Sequence, residues 1–136
     1  MTNPQSPSKV LHISLWVAQV LLALGLLYGG SMKLFQPADT LAAQWPWTAQ
    51  VPLSLVKLTG VVDFLGAAGL LLPAWLRIRP ALTPVAALGV LVLMLCAILF
   101  HVVRGEVAVI GINVFFAVLA AWVAWGRFRK VPLAAP

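Results

Sequence analysis

Four apolar stretches, almost free of formal charge, limit what this chain can fold into more than any other feature. Val10–Met32 runs 23 residues without Lys, Arg, Asp or Glu, Pro80–Val103 runs 24 and Val107–Gly126 runs 20, while Leu58–Leu76 carries Asp63 alone. About 20 apolar residues cross the hydrocarbon of a bilayer as a helix. Inside lipid the backbone must satisfy its own hydrogen bonds, which helices and closed barrels do. Barrel strands need about 9–11 residues of alternating polarity. These runs are apolar throughout, so helices are expected. Composition agrees: 9% of residues are charged, against about 25% in a soluble domain.

The first stretch competes with a secretory signal, in which Lys9 is the charged region and Gly29-Gly30-Ser31 the cleavage site. Its apolar run exceeds the roughly 7–15 residues of a signal core, which favours a retained helix. One cysteine, Cys96, allows neither an internal disulfide nor a CxxC redox motif. It reads as a small apolar filler within its helix.

The connections give the order. Phe35–Pro52 is the long one and holds Trp45 and Trp47, which suit the aromatic belt of a membrane interface. A short helix after Pro37 is expected within it. The turns at Leu76–Arg79 and Arg104–Glu106 are short, and short links make successive helices antiparallel neighbours. The expected fold is an all-α membrane protein, four transmembrane helices in an antiparallel up-down bundle. A flexible tail over residues 1–9 precedes a transmembrane domain over 10–127, and a second tail covers 128–136.

Charge sets orientation. Lys9, Arg77, Arg79, Arg127, Arg129 and Lys130 collect on the side of both termini, and Lys33, Lys57 and Arg104 on the other with Asp39 and Glu106. The positive-inside rule then places both termini in the cytoplasm. The flanking Lys and Arg account for the net charge, and no nucleic-acid motif is present.

Asp63 is the residue that needs a reason, because an Asp at a helix centre costs roughly 2.5–3.5 kcal/mol on insertion scales. It lies six residues beyond Lys57, about 9 Å inward. Lys33 ends the first helix, His101 nears the outer end of the third, and Asn113 lies about 10 Å past Glu106 in the fourth. Four helices thus set Lys33, Asp63, His101 and Asn113 in the outer half of the membrane. These four are the expected ligand-binding residues, with Asp63 and His101 the candidates for catalysis.

Faces support convergence. Gln19, Leu22, Leu26, Gly29 and Lys33 form one stripe. Asp63 shares a face with Thr59, Gly60, Gly66 and Ala67, and Asn113 with Ala117, Ala120 and Ala121. Structural alternatives stand beside each functional reading. Lys33 and Lys57 can snorkel, Asp63 can be a structural tie, His101 can rest at the interface, and Asn113 can hold helices together. Arg104 and Glu106 read as a solvated loop pair. His12 lies at the opposite face from His101, so the two cannot be axial ligands of one haem. The donors are also too few for a metal.

With these residues in view, GGSMKLF (Gly29–Phe35), VVDFLGAAGLLLP (Val61–Pro73), LMLCAILFHVVRGE (Leu93–Glu106) and NVFFAVLAAWVAWGR (Asn113–Arg127) resemble the DoxX-like family of small four-helix bacterial membrane proteins. The family usually has Glu where this chain has Asp63. The resemblance implies a four-helix bundle in the bacterial inner membrane. Some relatives are linked to thiosulfate:quinone oxidoreduction, others to oxidative-stress complexes or quinone detoxification.

Two functions are expected to compete. One is a quinone-linked accessory subunit of an oxidoreductase, drawing electrons from a redox enzyme partner because the chain has no flavin, haem, iron–sulfur or dithiol motif. In it His101 donates a hydrogen bond or proton to a quinone oxygen, and Asp63 exchanges a proton or orients His101. Lys33 holds Asp63 ionised or stabilises the negative charge of a reduced quinone, and Asn113 hydrogen-bonds the ring. The other is a non-enzymatic module that binds or helps move a lipid or small hydrophobic molecule, or scaffolds a partner. Transport by four helices would need a homo-oligomer.

Overall fold

The structure is a computed structural model that describes residues 5–132, with side chains described from Lys9 onward. Among these residues it is all helical: α1 (Gln5–Phe35), α2 (Ala38–Gln44), α3 (Leu53–Leu76), α4 (Leu82–Val103) and α5 (Gly111–Trp125). Short 3-10 turns cover Pro46–Ala49 and Val107–Val109, and a π-helical turn covers Gly126–Lys130. Four helices are long and apolar enough to cross a membrane: Lys9–Phe35, Leu53–Leu76, Leu82–Val103 and Gly111–Lys130.

Helix boundaries differ from expectation for local reasons. α1 begins at Gln5, inside the stretch expected as a flexible tail; Pro7 falls in its first turn, where proline removes no intrahelical bond. Residues 1–4 and 133–136, the remainder of the two expected tails, lie outside the described residues. α3 starts behind Pro52, five residues before the expected Leu58. The expected short helix after Pro37 is α2. α4 starts at Leu82 rather than Pro80, because the α3–α4 turn passes through two left-handed residues, Arg77 (φ 58°) and Arg79 (φ 45°).

Packing follows the small residues. α1 packs on α3 and α5, α3 on α4, and α4 on α5, which closes a ring of four. The shared core is built from Leu22, Ala23 and Leu26 of α1, Ala67 and Leu70 of α3, Ala87, Val90 and Met94 of α4, and Ala117, Ala120 and Val123 of α5. Without an aqueous phase to drive helices together, such packing relies on close approach by alanine and glycine. The outward faces carry exposed Leu24, Leu65, Leu99 and Val118. That much exposed apolar surface belongs in lipid rather than water. Cys96 is on that outward surface, not packed as a filler: it is flanked by exposed Val92, Leu95 and Leu99 on the face of α4 turned from the core.

The tightest crossing is between α1 and α3. A Cβ added to Gly30 would lie 3.0 Å from the Gly60 carbonyl oxygen and 3.2 Å from Asp63 Cβ; one added to Gly60 would lie 3.0 Å from Lys33 Cβ. Two glycines facing each other therefore set the backbone separation at the level of Asp63.

Candidate functional site

That crossing joins the first pair of expected site residues. Lys33 lies in the last turn of α1, and its Nζ donates to Asp63 Oδ2 at 2.8 Å. Asp63 is 3% exposed. Gly29 borders the same carboxylate, since a Cβ there would be 3.5 Å from Oδ2. The pair is thus a buried ion pair between two helices. Lys57, six residues earlier on α3, is exposed and donates to the Leu34 carbonyl at 3.2 Å. It satisfies an orphan carbonyl at the end of α1.

His101 belongs to a different group. It is buried in the last turn of α4, and its Nδ1 lies 3.1 Å from Glu106 Oε1. A carboxylate only accepts, so Nδ1 carries the proton and donates. The turn that enables this passes through Gly105 at φ +75°, a conformation that costs glycine little. It returns the Glu106 N–H to the His101 carbonyl at 2.8 Å. Arg104 Nε donates to the same Glu106 oxygen at 2.8 Å, and Arg104 Nη2 donates to Gln50 Oε1. The Arg104 hydrogen bond, then that of His101, holds the Glu106 carboxyl below its usual range. The expected loop pair is therefore present, and it also orients a buried histidine.

Two aromatic rings complete this group. Trp47 meets His101 edge-on with centroids 6.0 Å apart, and Phe100 does so at 5.1 Å. Trp47 also packs on Phe100 at 5.8 Å. The Pro46–Ala49 turn carries Trp47, with Thr48 Oγ1 bound to the Trp45 carbonyl at 2.9 Å. Among the described residues, His101 Nε2 makes no hydrogen bond.

The four-way cluster is thus divided. Lys33 and Asp63 are brought together, whereas no hydrogen bond or ion pair among the described residues joins Asp63 to His101 or Asn113. Asn113, half-buried in the first turn of α5, makes no side-chain hydrogen bond to a described residue. A local partner five residues away serves His101 at less entropic cost than one across the bundle. Glu106 orients the ring, one of the two roles expected of Asp63.

A second buried polar group lies at the other end. Arg127, expected as a flanking surface charge, is 2% exposed. Its Nε donates to Gln19 Oε1 at 2.7 Å, and Gln19 Nε2 donates to the Leu70 carbonyl at 2.9 Å. Its Nη1 lies 2.8 Å from His12 Nδ1 and 3.1 Å from the Val131 carbonyl. Gly126 makes this possible: a Cβ there would be 2.5 Å from Leu15 Cδ2, so the chain approaches α1 closely. The π turn then swings Arg127 inward. Gln19, buried mid-stripe, was the sequence signal of a partner; the π turn that supplied it had none.

The family model described as the DoxX-like family matches residues 17–123. The matched span contains Lys33, Asp63, His101, Glu106 and Asn113 and stops before Arg127. No curated protein and no solved structure matches the chain.

Proposed function

Since this chain belongs to the DoxX-like family and is an integral membrane protein with four apolar helices, we propose that it is a quinone-linked accessory subunit of a redox system in the bacterial inner membrane. The spans run antiparallel, up and down, with both termini cytoplasmic. The Lys33–Asp63 pair and the His101 group then lie in the outer half of the bundle.

One observation carries the reading: a buried histidine, fixed through Nδ1 by Glu106, keeps Nε2 without a hydrogen-bond partner among the described residues, beside Trp47 and Phe100. A quinone needs aromatic or aliphatic walls and a proton-exchanging group at its oxygen. An imidazole oriented through one nitrogen is suited to proton exchange at the other. Reduction of a quinone to a quinol takes two electrons and two protons. The electrons come from a redox enzyme partner, and His101 serves proton exchange at one carbonyl. The Lys33–Asp63 pair fixes the α1–α3 crossing from which the loop bearing Trp47 departs.

The test is titration of the purified protein with a water-soluble quinone, read by tryptophan fluorescence. A saturable quench is expected, at least tenfold weaker in affinity in His101→Ala and reduced in amplitude in Trp47→Phe. A linear, non-saturable response in the wild-type protein rejects the reading.

A second reading, a module that binds a lipid or small hydrophobic molecule, draws on a different feature. A lipid-facing cleft of about 230 Å³ between α3 and α4 is lined by Val62, Leu65, Gly66, Ala86, Gly89, Val90 and Leu93. A bulky Gly89→Leu change that abolishes function while His101→Ala does not would favour this reading.

A further inference from the structure

The buried charge at the far end from His101 lacks something that the outer charges have. Lys33 faces Asp63, and Arg104 faces Glu106. Arg127 is met by Gln19 Oε1, His12 Nδ1 and the Val131 carbonyl, all neutral acceptors. Its Nη2 is buried and has no hydrogen-bond partner among the described residues. The chain has three acidic side chains, Asp39, Asp63 and Glu106. Two are held in the pairs above, and Asp39 lies in α2, which follows the other end of α1. A buried cation without a counter-charge is costly, and a guanidinium offers a planar fork suited to a phosphate or carboxylate.

We propose that Arg127 seats a phosphate-bearing anion, with Nη2 as its first donor. Three surrounding features fit this class of ligand. The Arg127 guanidinium carbon lies 5.9 Å from the Trp16 ring centroid, and Trp122 Nε1 donates to Ser14 Oγ at 3.1 Å, so indole rings mark this level as the headgroup zone. Arg129 and Lys130 are exposed on the same turn and draw anions toward it. With its Nδ1 accepting from Arg127, neutral His12 carries its proton on Nε2 as a further donor. Entry requires Val131 to shift, since its carbonyl accepts from Nη1 and its N–H donates to the Gly126 carbonyl at 2.7 Å. The phosphate belongs either to a lipid headgroup or to a free anion.

The experiment uses the full chain in maltoside micelles, which contain no phosphate. One arm adds inorganic phosphate against chloride at equal ionic strength; the other adds phosphatidylglycerol. A saturable rise in Tm is expected, roughly 10 °C at about 100 times Kd, and absent from Arg127→Gln. A rise with phosphate assigns a free anion, a rise with lipid alone assigns a headgroup, and both support the site. No saturable rise in either arm overturns it. A rise undiminished in Arg127→Gln also overturns it. Should that variant not accumulate, the probe-induced fluorescence change in the wild-type protein decides. Its loss in Trp16→Phe supports the site, and its persistence there rejects it.

Discussion

The two ends of the bundle solve the same problem with different means. At the end bearing Lys33, Asp63, Arg104 and Glu106, these buried and half-buried charges pair with one another within the chain, and Glu106 also accepts from His101. At the end bearing Gln19, His12 and Arg127, one buried cation is held by neutral oxygen and nitrogen acceptors. With nine basic residues against three acidic ones, most bases have no acidic side chain of this chain to meet, and Arg127 is the one among them that is buried. The lesson is that the acids identify where the chain neutralises itself, and a buried base far from them identifies where it does not.

The comparison breaks most strongly at Asp63. Asp63→Leu leaves the Lys33 ammonium half-buried without its partner. Breaking a buried pair from one side costs about 3–5 kcal/mol; Lys33 retains 16% exposure, which puts the expectation near the lower end. Reversible unfolding in mixed detergent measures it. The double change Lys33→Met with Asp63→Leu should recover most of the loss, because two matched apolar side chains leave no stranded charge. A double variant as unstable as Asp63→Leu alone would show that the pair is not coupled.

The glycines come next. Gly60→Ala places a Cβ 3.0 Å from Lys33 Cβ and 3.1 Å from Leu34 Cγ, and overpacking of this kind costs about 1–3 kcal/mol. Gly89→Ala, on the lipid face with nothing within 4 Å, should stay within about 0.5 kcal/mol of wild type. Equal effects at the two positions in the same unfolding measurement would remove the close crossing as the cause of the Lys33–Asp63 geometry.

The smallest effect is a pH dependence confined to the His101 end. Folding depresses the Glu106 pKa from 4.5, first through the Arg104 hydrogen bond and then through that of His101. A depressed folded value contributes stability that is fully present above pH 4.5 and is lost as pH falls through the folded value. Between neutrality and that window the contribution stays flat. Glu106→Gln should therefore lower Tm slightly at neutral pH and narrow its gap to wild type in acid. A constant gap across the titration would mean that the carboxylate charge is not what holds His101.

Much of this could be read from the chain in one dimension. The apolar runs mark the four long helices because a bilayer demands about 20 apolar residues. The stripe Gln19, Leu22, Leu26 is buried as its spacing predicts. The charged partner of Asp63 was legible too, because Lys33 ends the same stripe. The partner of His101 was not. Depth along a helix is a sequence property, but the direction of a side chain around a short turn depends on backbone angles such as φ +75° at Gly105. Equal depth therefore grouped residues that the structure divides between two partners.

The sequence alone determined the class of the protein: four long apolar helices, a carboxylate that needs a partner, and a surplus of bases. Those follow from hydrogen-bond satisfaction in lipid and from the cost of buried charge, both of which act on local composition. Only the tertiary structure decided which polar groups meet. Facing glycines on α1 and α3 bring Lys33 to Asp63, a left-handed turn gives Glu106 to His101, and a π turn after Gly126 buries Arg127 against Gln19. Each is a matter of distance between segments far apart in the chain or of one backbone turn. The one-dimensional pattern of apolar and polar residues does not encode such distances, and packing must settle them.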